Sequence, residues 1–142
     1  MNIDRFVEKM MELCPRIARS IAHQESDHLS QGKITLPQFW ALDHLYRNGP
    51  GTMTELSRFL KISRAATTGL IDRLLIQKLI VRKEDKSDRR VVRIEITSRG
   101  YHIIKNIHRQ KHLNFARIFS KISPADRAEY LRILERIVKI VS

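Results

Sequence analysis

The chain has 142 residues, with 27 Lys and Arg against 15 Asp and Glu, for a formal charge of +12. That length suits one domain with appendages, and a single cysteine, Cys14, excludes a disulfide scaffold and fits a reducing compartment. The composition, 30% charged and 42% apolar, is too apolar for a disordered basic tail, and no apolar run approaches the roughly 18 residues of a membrane span.

In chain order the pattern is mostly helical. Ile3, Val7, Met10, Cys14, Ile17 and Ile21 step by three and four, which predicts a first helix with one apolar stripe. Pro15 lies inside it and is expected to kink it or end its first part. Residues 23–33 are polar, include Gly32, and read as a helix end followed by a loop. Thr35 as cap and Pro37 in the first turn open a second helix to about Arg47, stopped by Asn48-Gly49-Pro50-Gly51. Thr54 is expected to cap a short helix over residues 55–60. Ser63 is expected to cap a longer one over residues 63–78, with Ala66, Leu70 and Leu74 inward. The period then changes from 3.6 to 2, so residues 79–83 and 91–96 read as strands, with Val92, Ile94 and Ile96 on one face. Residues 84–90 form the charged tip between them. Thr97 begins a long helix to about Phe119, and Ser123-Pro124-Ala125-Asp126 opens the last, whose stripe is Leu131, Leu134, Val138 and Val141.

The charge has a location. Residues 1–53 are neutral overall, residues 54–100 carry a net +6 and residues 101–142 another +6. Helix, tight turn, capped helix and a hairpin with a basic tip is the order of a winged helix-turn-helix. A helix whose N-terminus carries small polar side chains can enter the major groove, roughly 12 Å wide, and reach base edges. Ser63, Arg64, Thr67 and Thr68 supply such side chains, with Arg73 further along the helix. Lys86, Arg89 and Arg90 at the tip are placed to reach phosphates or a narrow minor groove.

These residues resemble the MarR family (multiple antibiotic resistance regulators). The resemblance is carried by Thr35-Leu-Pro-Gln38, Glu55-Leu56, Ser63, Thr68 and Asp72-Arg73-Leu74. Its specific part is Asp85-Lys-Ser-Asp88-Arg89-Arg90 followed by Ile96-Thr97-Ser-Arg-Gly100. It is close over residues 34–101 and architectural outside them. It implies a homodimeric, palindrome-binding transcriptional regulator, expected to act as a repressor, in which the terminal helices intertwine. In the family the second wing arginine, here Arg90, enters the minor groove, and the wing aspartate, here Asp88, positions it. Gly69 departs from the pattern, because the family often has a long side chain there. Glycine costs a helix about 1 kcal/mol relative to alanine and removes a base-reading side chain at that point.

The expected fold class is therefore mainly α with a small β-hairpin (α+β): a winged helix-turn-helix over residues 34–100, flanked by N- and C-terminal dimerisation helices at 1–33 and 101–142. Dimerisation has a separate argument: the terminal helices carry apolar stripes that a winged-helix unit is too small to cover, and an isologous partner would cover them. The expected partners are double-stranded DNA and a second copy of the chain, with no membrane, and the expected location is the cytoplasm, at the nucleoid when bound to an operator. A non-specific architectural DNA-binding protein is the alternative reading of the same charge.

Other residues carry competing readings. One branch of the family senses hydroperoxides through a single cysteine in the first helix. Cys14 is the corresponding redox candidate, but it lies on the apolar stripe, where a small buried hydrophobe is the usual reading. His108 and His112 have an i, i+4 spacing that can bind zinc. Zinc-sensing members also use a histidine at the position of Trp40, which cannot ligate, so no metal is expected. Small aromatic acids and phenols often bind family members near the junction of the two regions. Trp40, His44 and His23 are the corresponding effector-pocket residues, against ordinary core packing of Trp40. No Gly-rich phosphate loop, nucleophile elbow or HExxH occurs, so neither an enzyme nor a cofactor is expected.

Overall fold

The computed structural model describes residues 1–24 and 33–142. It contains α1 (Ile3–Gln24), α2 (Leu36–Asn48), α3 (Met53–Leu60), α4 (Arg64–Ile76), β1 (Ile80–Glu84), β2 (Val92–Ile96), α5 (Ser98–Phe119) and α6 (Pro124–Val141). The loop expected after the first helix falls mainly on residues 25–32 and lies outside the described residues, as does the side chain of His23. Pro15 sits within α1 without ending it. Its missing N–H deprives the carbonyl of Met11 of a donor, and Met11 is an exposed residue whose carbonyl can turn to water.

Side chains reaching backbone three residues on set most helix starts. Thr35 Oγ1 accepts from the Gln38 N–H at 3.3 Å while Gln38 Oε1 accepts from the Thr35 N–H at 3.0 Å, a capping box that fixes the start of α2. The cap of α3 is Thr52 and not the expected Thr54: only Thr52 has Glu55 three residues ahead to complete a second box. Ser63 caps α4 through the Ala66 N–H at 3.0 Å. Lys61, in the left-handed region at φ 55°, makes the turn between α3 and α4.

The inward stripe of α4 is Thr67, Leu70, Ile71 and Leu74. Ala66, expected inside, is exposed. The helix is turned by one residue so that Ile71 enters the core, and Thr67 is brought in with it. The C-terminus of α4 comes earlier than expected. Lys78 adopts φ 59°, the Leu79 N–H donates to the Leu74 carbonyl and the Lys78 N–H to the Leu75 carbonyl, both at 3.0 Å. This is a Schellman closure with lysine where glycine is usual. It commits Leu79 to the turn, which shifts the first strand one residue along the chain from its expected limits.

β1 and β2 pair antiparallel from Ile80↔Ile96 to Glu84↔Val92. Of the face expected on β2, Ile94 is buried, Ile96 is half-buried and Val92 is exposed. Gly51 joins β2 through an isolated bridge: its N–H donates to the Ile94 carbonyl at 3.0 Å and its carbonyl accepts from the Ile94 N–H at 2.7 Å. The core joins Leu42 and Leu45 of α2, Leu56 of α3, Ile71 and Leu74 of α4, Ile94 of β2, and Ile104 and Ile107 of α5. Neither α1 nor α6 contributes to it. Cys14, expected to be buried, is exposed, as are Val7, Met10 and Ile17, with which it shares its stripe. No described helix is long and apolar enough to cross a membrane.

The start of α5 closes on the end of α4. Thr97 Oγ1 accepts from the Gly100 N–H at 3.1 Å and donates to the Lys78 carbonyl at 2.7 Å, while the Thr97 N–H donates to the Leu79 carbonyl at 3.0 Å. A Cβ on Gly100 would lie 2.2 Å from the Leu79 carbonyl oxygen. Since that neighbour is backbone, Gly100→Ala should destabilise the protein by about 1–3 kcal/mol. The denaturant midpoint measures this, and an unchanged midpoint would contradict the close approach.

Candidate nucleic-acid interface

The N-terminal half of α4 and the hairpin face one another across a groove of about 560 Å³ that is lined by Thr54, Arg64, Thr68, Arg82 and Arg90 among others. Three guanidinium groups thus converge on one concave surface, and each is tethered. Arg64 Nη1 donates to Thr54 Oγ1 at 2.9 Å. Thr54, released from capping, holds this arginine instead. Arg82 Nη2 donates to Asp72 Oδ1 at 2.9 Å, which links β1 to the exposed side of α4. Arg90 forks onto Asp88, with Nε to Oδ1 and Nη2 to Oδ2 both at 3.1 Å. The Arg90 side chain is nonetheless 90% exposed. The fork sets its direction without withdrawing it from solvent.

The loop between the strands is built on two carboxylates. Asp85 accepts from the Ser87 N–H at 3.0 Å, from Ser87 Oγ at 3.1 Å and from Arg93 Nε at 3.1 Å. Asp88 accepts from the Arg90 N–H at 3.0 Å in addition to the guanidinium. The Ser87 N–H, then Arg93, hold the Asp85 carboxyl below the usual carboxylate range, and the Arg90 side chain, then its N–H, do the same for Asp88. All these bonds favour the ionised form.

The expected site residues divide. Ser63, Arg64, Thr68 and Arg73 are exposed on α4, and Lys86 and Arg89 are exposed on the hairpin tip. Thr67 is a correction. It is fully buried; its Oγ1 donates to the Ser63 carbonyl at 2.9 Å and lies 3.0 Å from Ser57 Oγ, so it ties α3 to α4 and has no surface to offer a base. The pairing of Asp72 with Arg82 joins residues ten apart on two elements, and no local pattern in the sequence marks it.

Trp40, expected to pack at a junction, is 46% exposed. His44 is half-buried with its ring centroid 4.2 Å from that of Phe59. The two histidines with zinc spacing are separated in role. His108 Nε2 lies 2.6 Å from Asp43 Oδ1, with the Phe39 and Tyr46 rings edge-on to its own, whereas His112 is exposed. Among the described residues no group of three His, Cys, Asp or Glu side chains could hold a metal ion.

A capped helix behind a tight turn, a hairpin braced against it and arginines converging between them define a winged helix-turn-helix DNA-binding protein. The MarR family model matches residues 33–91. The Bacillus subtilis HTH-type transcriptional regulator YsmB is 40% identical over 99 residues, 68% of each chain. A MarR family protein from Bacillus stearothermophilus superposes with a TM-score of 0.80 at 28% identity, covering 99% of this chain and 98% of that one. The structure describing regulation of DNA binding of Bordetella bronchiseptica BpsR by 6-hydroxynicotinic acid superposes with a TM-score of 0.66 at 22% identity, over 92% and 98% of the two chains. The chain belongs to the MarR family of transcriptional regulators.

The depressed carboxyls fix the sign of a pH effect. Their contribution to loop order is fully present above the ordinary aspartate value of about 3.9 and is lost as pH falls through the lower folded values. The protection of the Ser87 and Arg90 amides, taken relative to the intrinsic exchange rate at each pH, should therefore hold from pH 7 to 5 and fall only in stronger acid. Loss of protection already by pH 5 would contradict the assignment.

Proposed function

We propose that the protein is a repressor that binds a pseudo-palindromic operator as a symmetric homodimer. The observation that carries this reading is the groove in which Arg64, Thr68, Arg82 and Arg90 converge. The N-terminus of α4 enters the major groove, with Ser63, Arg64 and Thr68 toward base edges and phosphates. Arg90, aimed by Asp88, enters the adjacent minor groove, while Arg73, Lys86 and Arg89 contact the backbone. Residues 34–100 form the DNA-binding unit.

Residues 1–33 and 101–142 form the dimerisation region. Ile3, Phe6, Val7, Met10 and Ile17 of α1 and Leu131, Leu134, Val138 and Val141 of α6 are all exposed in the single chain, more contiguous apolar surface than a soluble monomer normally leaves open. Two recognition helices about 34–36 Å apart would then read successive major grooves. A small aromatic or phenolic effector releases the operator. In support, DNA binding by the similarly folded BpsR is regulated by 6-hydroxynicotinic acid.

Selection of bound duplexes from a random pool should return a two-fold symmetric site preferred by at least about 10³ over random sequence. A flat profile would instead favour architectural binding. Arg90→Ala should weaken binding to the selected site by about 1–3 kcal/mol, and unchanged affinity at near-physiological salt would remove Arg90 from the groove. A chain truncated before Ser123 should sediment as a monomer. If it remains dimeric, α6 is not part of the interface.

A further inference from the structure

Every described glycine but one has its reason inside the chain. Gly49 takes φ 81°, in the left-handed region. A Cβ on Gly51 would lie 3.0 Å from Glu55 Oε2, the acceptor in the α3 capping box, and one on Gly100 would press on the Leu79 carbonyl. Gly69 is different. It stands within α4, has no positive φ, and a Cβ added there would meet nothing within 4 Å. Glycine is the poorest helix former after proline, because it gives up the most backbone entropy and adds no side chain. At Gly69 no contact within the chain offsets that loss.

The position of Gly69 says where to look for the compensation. The buried stripe of α4 is Thr67, Leu70, Ile71 and Leu74. At about 3.6 residues per turn, Gly69 falls on the side away from that stripe. Ala65, a turn before it, and Ile76, two turns after it, are both exposed. The adjacent Thr68 lines the arginine groove with Arg64. A helix with its side chains is about 10–12 Å across, and the major groove is about 12 Å wide and 8.5 Å deep. With so little slack, the size of the outermost side chain sets how near the backbone comes to the base edges. The missing side chain leaves a small hollow on α4 at that point. Its backbone groups already bond one another along the helix, so the donors and acceptors of a base gain nothing from it. The apolar group that a base pair presents in the major groove is the C5 methyl of thymine.

We infer that Gly69 is a specificity-determining residue, which reads a thymine by taking its methyl group against the bare backbone of α4. The inference rests on the operator-binding reading above and names one base of each half-site. Cytosine at the same place leaves the hollow empty and loses the contact. Any larger residue at position 69 fills the hollow from the protein side and collides with the methyl.

A methyl-exchange cycle on the full chain tests this. Wild-type protein selects duplexes from a random pool, and each thymine of the selected half-site is replaced in turn by deoxyuridine, which lacks only the methyl. At one of these thymines the replacement should weaken wild-type binding about fourfold, as expected for one buried methyl group. Gly69→Ala should bind the thymine duplex roughly tenfold more weakly and regain most of that loss when deoxyuridine stands at this position in both half-sites. Its affinity for random duplex should match the wild type's. Its unfolding midpoint should rise, since the added methyl meets only solvent in the free protein. Full affinity of Gly69→Ala for the selected site, an equal deoxyuridine effect in both proteins, or a lowered midpoint would overturn the role of Gly69. A selected site in which no thymine responds in this way does the same and leaves the regulator standing. A flat selection removes the operator reading itself, and the base contact with it.

Discussion

The approach of Gly100 to the Leu79 carbonyl is the contact on which the arginine-lined groove between α4 and the hairpin depends. Three elements meet there: the end of α4, the start of β1 and the first turn of α5. Lys78 reverses the chain in the left-handed region, and Thr97 reads that reversal by bonding to the carbonyls of Lys78 and Leu79 at once. Any side chain at position 100 would push α5 away and open the joint. The hairpin could then swing relative to α4, and the groove between them would lose its width. A lysine at the reversal carries a conformational penalty that glycine would not, so the bonds from Thr97 also hold a turn its own residue does not favour.

Around that joint, charge is organised by tethers of different strength. Arg90 is held at two points by a carboxylate that is itself fixed by the Arg90 N–H. Arg82 shares an aspartate with the helix it faces, and Arg64 leans on a neutral hydroxyl. Lys86 and Arg89, at the tip, have no such partner among the described residues. The surface thus combines directed cations inside the groove with undirected ones at its rim, which suits readout inside and general phosphate attraction outside.

What was legible in the sequence followed from the range of each interaction. Caps at Thr35, Ser63, Thr97 and Ser123 act over three residues and were visible. The choice of Thr52 over Thr54 is also local, since only Thr52 has Glu55 three residues ahead to complete a capping box. The rotation of α4 was harder. Ala66 and Thr67 are adjacent, and a period of 3.6 does not separate them; burial of Thr67 depends on Ser57, ten residues away on another helix. The Gly51–Ile94 bridge, the Asp72–Arg82 pair and the His108–Asp43 pair join distant segments and left no local mark. The wing was legible because its bonds run between residues two apart.

The forked Arg90–Asp88 pair has a thermodynamic side. A cation approaching DNA displaces condensed counter-ions, and each phosphate neutralised adds nearly one ion to the salt dependence of binding. Arg90 arrives with its own carboxylate attached, as do Arg82 and Arg93. The count of 27 Lys and Arg therefore overstates the number of ions the surface can set free. Asp88 is a counter-ion fixed to the chain, so no mobile ion need be released from Arg90 when it meets a phosphate.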